Sequence, residues 1–388
     1  MRIAGIIAEY NPFHNGHAWH IAETRRMTGC DYVVASMAGH FTQRGDPAIL
    51  SKWARARMAL ACGADAVVEL PAMFAVRPAD AFARGGVMTL GGLGVDVLSF
   101  GSETDDLGLI ATLVGIIENE PKSVSDTIKR RLDLGEAYPR ARGEAIEEAL
   151  GLPAGTTNRP NLTLAVEYAR AAKAYYPDMA LCAVRRRGEY HDSTTGPMAS
   201  ATAIRSALAR GDMQTAMMAI PDAARPYFRP DAMHAMDDML MMRLRDMTEG
   251  ELCALPEAAE GLDRRLWRLC RTHSSRDALV DALKCKRYTR ARLCRMLTQA
   301  LIGMTREMIA NHPVPTYARL IGARRGAEPL LTELSRRAQI PVAASPQSIR
   351  EDPIFALECR ATDLWALMHD RPEERLPGRE FTEKFIRV

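Results

Sequence analysis

The chain has 388 residues, 47% of them apolar, and a net charge of only +3. That core is too large for one ordinary domain, so two are expected, and the near balance of charge excludes a polycation, leaving any nucleic-acid contact to a local basic face. Eight scattered cysteines without a C-x-x-C pair, no apolar leader and no uncharged run of membrane-spanning length exclude a disulfide scaffold, a secretory signal and a transmembrane helix, and place the chain in the cytoplasm, away from membranes.

The first half alternates short apolar runs with amphipathic ones. Ile3–Ala8 reads as a buried strand, His17–Met27 as a helix, Tyr32–Met37 as a strand and Lys52–Ala61 as a helix. Ala66–Leu70 and Val95–Phe100 are further strands, with a helix over Ala79–Leu90 between them. Continuous apolar strands separated by helices predict an α/β fold with a parallel sheet covered on both faces. Residues 105–178 read as helical, most clearly over Asn161–Ala172, and Leu181–Val184 is one more strand. The pattern breaks near 210–225. Beyond it helices dominate, over Ala232–Leu244, Leu262–Cys270, Ala278–Leu283 and Ala291–Leu301, and the runs Arg319–Gly322 and Pro341–Ala344 flank a helix as a small strand-helix-strand unit.

Ligands of parallel sheets bind beyond the carboxyl ends of the strands, so the loops there carry the chemistry. After the first strand stands His14-Asn15-Gly16-His17. Two imidazoles three residues apart on the first helical turn can both donate to phosphate oxygens. Gly16 leaves room for a nucleotide against the backbone, and the helix N-terminus adds free N–H groups and a positive dipole end. The bland alternatives are a chance H-x-x-H or a metal pair. Arg44 and Lys52 follow the second strand, and either is placed to meet a second substrate. Asn161 opens a helix, where its amide serves a ribose or phosphate or simply caps the helix. Arg185, Arg186 and Arg187 follow the last strand, as a phosphate or adenine contact or as a solvated charge cluster. Ser200-Ala201-Thr202-Ala203-Ile204-Arg205 starts a helix with two hydroxyls and a guanidinium, a polyphosphate clamp or an ordinary N-cap followed by a surface arginine. Residues 284–306 hold Lys284, Lys286, Arg287, Arg290, Arg292, Arg295 and Arg306 with no acid between them. They form an RNA-facing or merely solvated basic stretch.

The run Gly5 to His17 resembles the start of bacterial tRNA(Met) cytidine acetate ligases, within the HxGH nucleotidyltransferases. The resemblance continues through Met37–Ala48, Ser51–Arg55, Val68–Pro71, Phe100–Glu103, Arg159–Asn161 and Gly188–Asp192. It implies a Rossmann-like nucleotidyltransferase (HUP-type) catalytic domain over 1–212 and a mostly helical, tRNA-contacting C-terminal domain over 213–388. It implies ATP as co-substrate with Mg²⁺ bridging its phosphates, acetate as the group activated, and elongator tRNA(Met) as acceptor at N4 of its wobble cytidine, with no obligate protein partner. The ATP-binding residues it implies are Ile7, Ala8, Glu9, Tyr10, Asn11, Pro12, Phe13, His14, Asn15, Gly16, His17, Ala18, Trp19 and His20, with Gly101, Asn161 and Arg186. Ser200, Thr202 and Arg205 stand where the wider superfamily carries its second signature, with Ala201 replacing one hydroxyl. His14 and His17 would stabilise the phosphates, and Arg44 or Lys52 would hold acetate; no protein-held metal is expected. Two other readings stay open at this point: a small-molecule adenylyltransferase, and a non-catalytic RNA-binding protein that keeps the fold. The extra C-terminal length argues against the first, and the intact histidine pair against the second.

Overall fold

The computed structural model describes residues 1–136, 138–186, 196–230 and 236–388. Its centre is one twisted sheet with strands β1 (Ile3–Ala8), β2 (Tyr32–Ala38), β3 (Ala66–Leu70), β4 (Val97–Ser102), β5 (Ala180–Arg185), β6 (Ala318–Ala323), β7 (Val342–Ala343) and β8 (Ile386–Arg387). The order is β5-β4-β1-β2-β3-β6-β7, with β8 also on β6. Strands β1 to β5 are mutually parallel, in register from Ile3 opposite Tyr32 and Val97 opposite Ala180. The chain winds one way from β1 to β3 and the other from β4 to β5, so the direction reverses between β1 and β4. That reversal opens a crevice beyond their carboxyl ends.

Alternation along the strands sorts the core. Ile3, Ile7, Val34, Val68 and Leu98 face one layer, built on helix α3. Ala4, Ile6, Val33, Ala35, Val67 and Val97 face the other, built on α1 and α2. Here α1 is Asn15–Thr28, α2 Lys52–Ala61 and α3 Ala79–Gly92. Helix α3 lies so close to the sheet that a Cβ on Gly86 would sit 2.6 Å from the Ile7 side chain. The helices that matter further on are α4 (Pro160–Tyr175), α5 (Ala201–Ala209), α6 (Arg290–Ile302) and α7 (Pro353–Ala366).

The part beyond residue 212 is mostly helical but also returns to the sheet. β6 pairs antiparallel with β3, and the strand-helix-strand unit expected near 319–344 is β6, the helix Glu328–Arg337 and β7. The buried cluster on the α3 face runs on without interruption through Leu240, Leu266, Leu297 and Trp365. Of the helix expected over Ala232–Leu244, residues 232–235 lie outside the described residues, and the rest belongs to Asp237–Asp246. The short closing strand β8 has no strong pattern in the sequence.

Candidate active site

β1 ends at Ala8, and the chain turns sharply to start α1. Tyr10 adopts a left-handed φ of 51°, costly for a residue with a side chain. Its surroundings hold it there. Its ring packs edge-on against Phe13 at 4.9 Å and His17 at 4.8 Å. Asn11 Oδ1 accepts the Ile49 N–H at 2.9 Å. Beneath the turn, the fully buried guanidinium of Arg55 donates to the Glu9 carbonyl at 2.6 Å and to Ala38 at 3.0 Å, and also to the Gly39 carbonyl. One side chain thus ties the end of β1 to the end of β2. In the sequence Arg55 is only part of the Ser51–Arg55 string; nothing local announces its task.

His14 is the N-cap of α1. Its Nδ1 accepts the Gly16 N–H at 3.0 Å, and His17 Nδ1 accepts the His14 N–H at 3.3 Å, so the two imidazoles form a capping box and stack at 3.8 Å. This fixes both tautomers. A ring nitrogen that accepts an N–H carries no proton, so in each neutral ring the proton sits on Nε2. Each imidazole therefore presents one N–H donor while its other nitrogen is spent on the backbone. Burial, then the charges of Arg186 and Arg205, push the His14 pKa down to about 3. Burial also pulls His17 well below its ordinary value, with His14 and Arg186 adding to it. His20, one turn on, is lowered to about 4 by burial and Arg186, and its Nε2 meets Ser99 Oγ on β4 at 3.2 Å. All three rings are neutral at pH 7 and lie where β1 and β4 part.

The opposite rim comes from β4, β5 and α4. Glu103 receives the N–H groups of Asn161 at 3.3 Å and Leu162 at 2.6 Å, and the Asn161 amide Nδ2 at 2.8 Å. Asn161 Oδ1 faces the Arg186 guanidinium at 3.5 Å. Gly101 lies beside the Arg186 stem, 3.5 Å from where a Cβ would stand. Glu103 thus orients Asn161 and was missed as a site residue, although it closes the Phe100–Glu103 string; a carboxylate just past a strand end, facing a helix N-terminus, was its physical signal. From α5, Arg205 donates to the Asn11 carbonyl at 2.6 Å and to Thr202 Oγ1 at 3.2 Å. The expected clamp and the histidine loop therefore share one cleft. Ser200 Oγ accepts the Ala203 N–H at 3.2 Å, so it acts as the N-cap. Half-buried Glu9 accepts the Gln43 N–H at 2.7 Å. Burial raises its pKa against the pull of that bond, Arg205 and Arg44, which places Arg44 at the same opening.

Three expectations are corrected. Lys52 does not reach the cleft. It is fully buried, its ammonium bonded to Glu358 at 3.0 Å, Glu380 at 2.5 Å and Glu69. Burial alone would lower its pKa, but the three carboxylates outweigh burial and raise it. The Asn15 side-chain amide is spent on the protein itself, donating to Pro197 O at 2.7 Å and Met218 O at 3.2 Å. It bolts α1 to the chain on both sides of α5. In the basic stretch, Arg290 pairs with Asp277 and with Asp281 at 2.9 Å, Arg295 is a buried bidentate partner of Glu257 at 2.6 and 2.9 Å, Arg292 donates to Glu257 O at 3.2 Å, and Arg306 donates to Leu255 O at 3.1 Å and Ala258 O at 2.6 Å. Only Lys284, Lys286 and Arg287 are left as an exposed basic surface. Residues 187–192 of the expected arginine run and its continuation lie outside the described residues.

Among the described residues, one group of His, Cys, Asp or Glu side chains converges closely enough for a metal: His40, Glu358 and Glu380. The Lys52 ammonium already occupies the carboxylates and the Lys52 N–H faces His40 Nε2 at 3.3 Å, so these donors do not fit a cation.

Comparison with known proteins agrees with this geometry. The family model described as HIGH Nucleotidyl Transferase matches residues 1–379. The tRNA(Met) cytidine acetate ligase of Acetivibrio thermocellus is 32% identical over the whole of both chains. Its counterpart in Syntrophotalea carbinolica is 37% identical, covering 94% of this chain and 93% of that one, and that of Bacillus subtilis is 33% identical, covering 96% and 94%. Among solved structures, Thermotoga maritima TmcAL bound with alpha-thio ATP superposes with a TM-score of 0.90 at 26% identity over all of both chains.

Proposed function

Because this chain belongs to the tRNA(Met) cytidine acetate ligase family of HIGH nucleotidyl transferases, we propose that it activates acetate with ATP and passes the acetyl group to N4 of the wobble cytidine of elongator tRNA(Met). The observation that carries this reading is the imidazole pair. Two neutral rings with fixed tautomers keep their Nε2–H donors unspent on the backbone at a helix N-terminus, within reach of the charges of Arg186 and Arg205.

In the first step a carboxylate oxygen of acetate attacks the α-phosphorus, the bond to the bridging oxygen breaks, and pyrophosphate leaves. His14 and His17 donate to phosphate oxygens on which charge builds, and the two arginines offset that charge. Neutral imidazoles suit this task, since they need neither lose nor gain a proton as the reaction proceeds. A divalent cation such as Mg²⁺, if bound with the nucleotide, would supply further charge neutralisation. Arg44 is the candidate to hold acetate, since Lys52 is walled off. In the second step cytidine N4 attacks the acyl carbon of acetyl-adenylate, AMP leaves and N4 releases a proton to water. The protein's part is to align the two and exclude water.

The test is acetate-dependent exchange of pyrophosphate into ATP, followed by detection of N4-acetylcytidine in elongator tRNA(Met) incubated with the enzyme, ATP and acetate. Exchange driven by another acid or by a small-molecule acceptor would reject the reading.

A further inference from the structure

A cavity of about 530 Å³ lies outside the nucleotide cleft, between residues 49–57 and 226–229 on one side and α7 with the short helix Arg379–Thr382 on the other. That volume falls in the range of small-ligand sites, roughly 300–1,000 Å³, and is far more than acetate needs. Its lining carries three guanidiniums, of Arg57, Arg229 and Arg379, against one carboxylate, Glu374. Arg379 is already matched by Glu374 at 2.8 Å and Glu383 at 2.9 Å. Arg57 and Arg229 have no carboxylate partner among the described residues, which leaves two positive charges unmatched by any of them. Tyr227 contributes a half-buried ring. Paired guanidiniums beside an aromatic face match a single-stranded nucleotide, whose phosphate takes the charge and whose base takes the ring.

Both segments of the first side are chained to the nucleotide cleft. On one, the Ile49 N–H is held by Asn11 Oδ1, and the Leu50 carbonyl receives Arg55 Nε at 3.1 Å while Arg55 also holds Glu9. On the other, Ala219 O accepts the Asn15 N–H at 2.8 Å, a few residues before the turn that carries Tyr227 and Arg229. The cavity is therefore a rigid neighbour of the cleft, sharing residues 48–51 as a partition whose far side is fixed by Trp365 Nε1 donating to Ala48 O at 2.7 Å.

We infer that this cavity seats a nucleotide flanking the acceptor cytidine, with Arg57 and Arg229 on its phosphate and Tyr227 against its base. The inference rests on the proposed function, which supplies an RNA acceptor.

The double charge reversal R57E/R229E, in the full chain, separates this from the ATP step. Acetate-dependent exchange without RNA should stay within about twofold of wild type, while KM for tRNA rises at least tenfold. The dependence of binding on salt should flatten by about 0.7 in log–log slope, the share of one neutralised phosphate of single-stranded RNA. Y227A should weaken tRNA binding by about 5- to 150-fold, the range of one lost stack. If the reversal lowers the melting temperature, the neutral pair R57Q/R229Q carries the same measurements. Unchanged tRNA KM and salt slope, or equal losses in exchange and acetylation, would overturn the inference. Failure of wild type to exchange pyrophosphate with acetate would instead strike the proposed function, and tRNA binding of the variants would still read the cavity.

Discussion

His17 offers the sharpest test of the site, because its two ring nitrogens have separate tasks. Nδ1 accepts the His14 N–H at 3.3 Å, a long capping bond whose loss should cost about 0.5–1 kcal/mol of stability. In the proposed reaction Nε2–H is the donor to phosphate, and removing one preorganised donor of this kind costs about 2.7–4 kcal/mol of transition-state stabilisation, roughly 100- to 1,000-fold in rate. Amide side chains can take these tasks apart. The Oδ1 of Asn falls near the place of Nδ1, and the Nε2 of Gln near the place of Nε2. H17N should keep the melting temperature of wild type yet lose at least 100-fold in acetate-dependent ATP–pyrophosphate exchange. H17Q should melt lower yet keep exchange to within about tenfold. H17A should lose both. The assay is exchange at saturating ATP and acetate, beside thermal melting of the same samples. Wild-type exchange in H17N would refute the donor role, and an H17Q as inactive as H17A would show that the ring, rather than its N–H, does the work.

G16A places a Cβ 2.9 Å from His14 Cε1 and must turn that ring off its cap, so kcat/KM for ATP should fall about 10- to 100-fold; an unchanged value would mean the ring position is not set by this contact. K52M leaves Glu69, Glu358 and Glu380 buried with Arg319 alone, and should cost about 3–5 kcal/mol of stability, seen as a lower denaturation midpoint. KM for acetate should not move; a tenfold rise at unchanged stability would return Lys52 to the acetate site. For pH, the folded imidazoles of His14, His17, His20 and His40 resist protons that the unfolded chain binds near pH 6.5. Stability of the ATP-free protein should thus be lost as pH falls from about 6.5 towards 4, by up to about 1.4 kcal/mol per pH unit for each ring kept neutral. Glu358, Glu9 and Glu167, each raised chiefly by burial, oppose this with one proton apiece; a midpoint that is flat between pH 7.5 and 5 would contradict the burial argument. Finally, a fragment ending at residue 212 strips β3 of β6 and exposes the Lys52 cluster, so it should neither melt cooperatively nor bind ATP, and a folded, ATP-binding fragment would refute the dependence of the loop on the C-terminal layers.

The parallel core was legible because its signals are local. Apolar runs such as Ile3–Ala8 and Ala66–Leu70 are buried on both faces and need no partner to be recognised. Only their ends shifted: β4 starts at Val97, not Val95, because Val95 still bonds back to Leu90 and the Asp96 carboxylate instead caps Ile3 N at 2.7 Å. The histidine pair was legible for the same reason, since the spacing that stacks the rings is contained within one helical turn. Charge was where sequence reading failed. Lys52 and Arg295 look like available cations until their carboxylates are known, and Glu358 lies 306 residues from Lys52. No window along the chain contains that information.

The same non-local pairing explains why the site is rigid. The loop beyond β2 carries Gln43 and Arg44 to the cleft, yet most of what holds it belongs to the C-terminal layers. Gly45, at φ 78°, packs so tightly on α6 that a Cβ would stand 2.7 Å from the Cys294 carbonyl. Its own carbonyl receives Thr298 Oγ1 at 2.6 Å and Arg276 Nη2 at 2.8 Å. His40 donates Nδ1–H to Thr362 at 3.0 Å, since its Nε2 accepts from Lys52 N. An ion cluster buried this deeply is a poor source of net stability, because desolvation offsets most of its attraction. Its geometric effect is certain by comparison: five charged groups from α2, β3, β6, α7 and the helix Arg379–Thr382 are satisfied in one arrangement only. Directly against them lie Gly39 and His40, at the root of the loop that carries Arg44. The helical half of the chain therefore sets the shape of the catalytic mouth from below, whatever it also does for RNA.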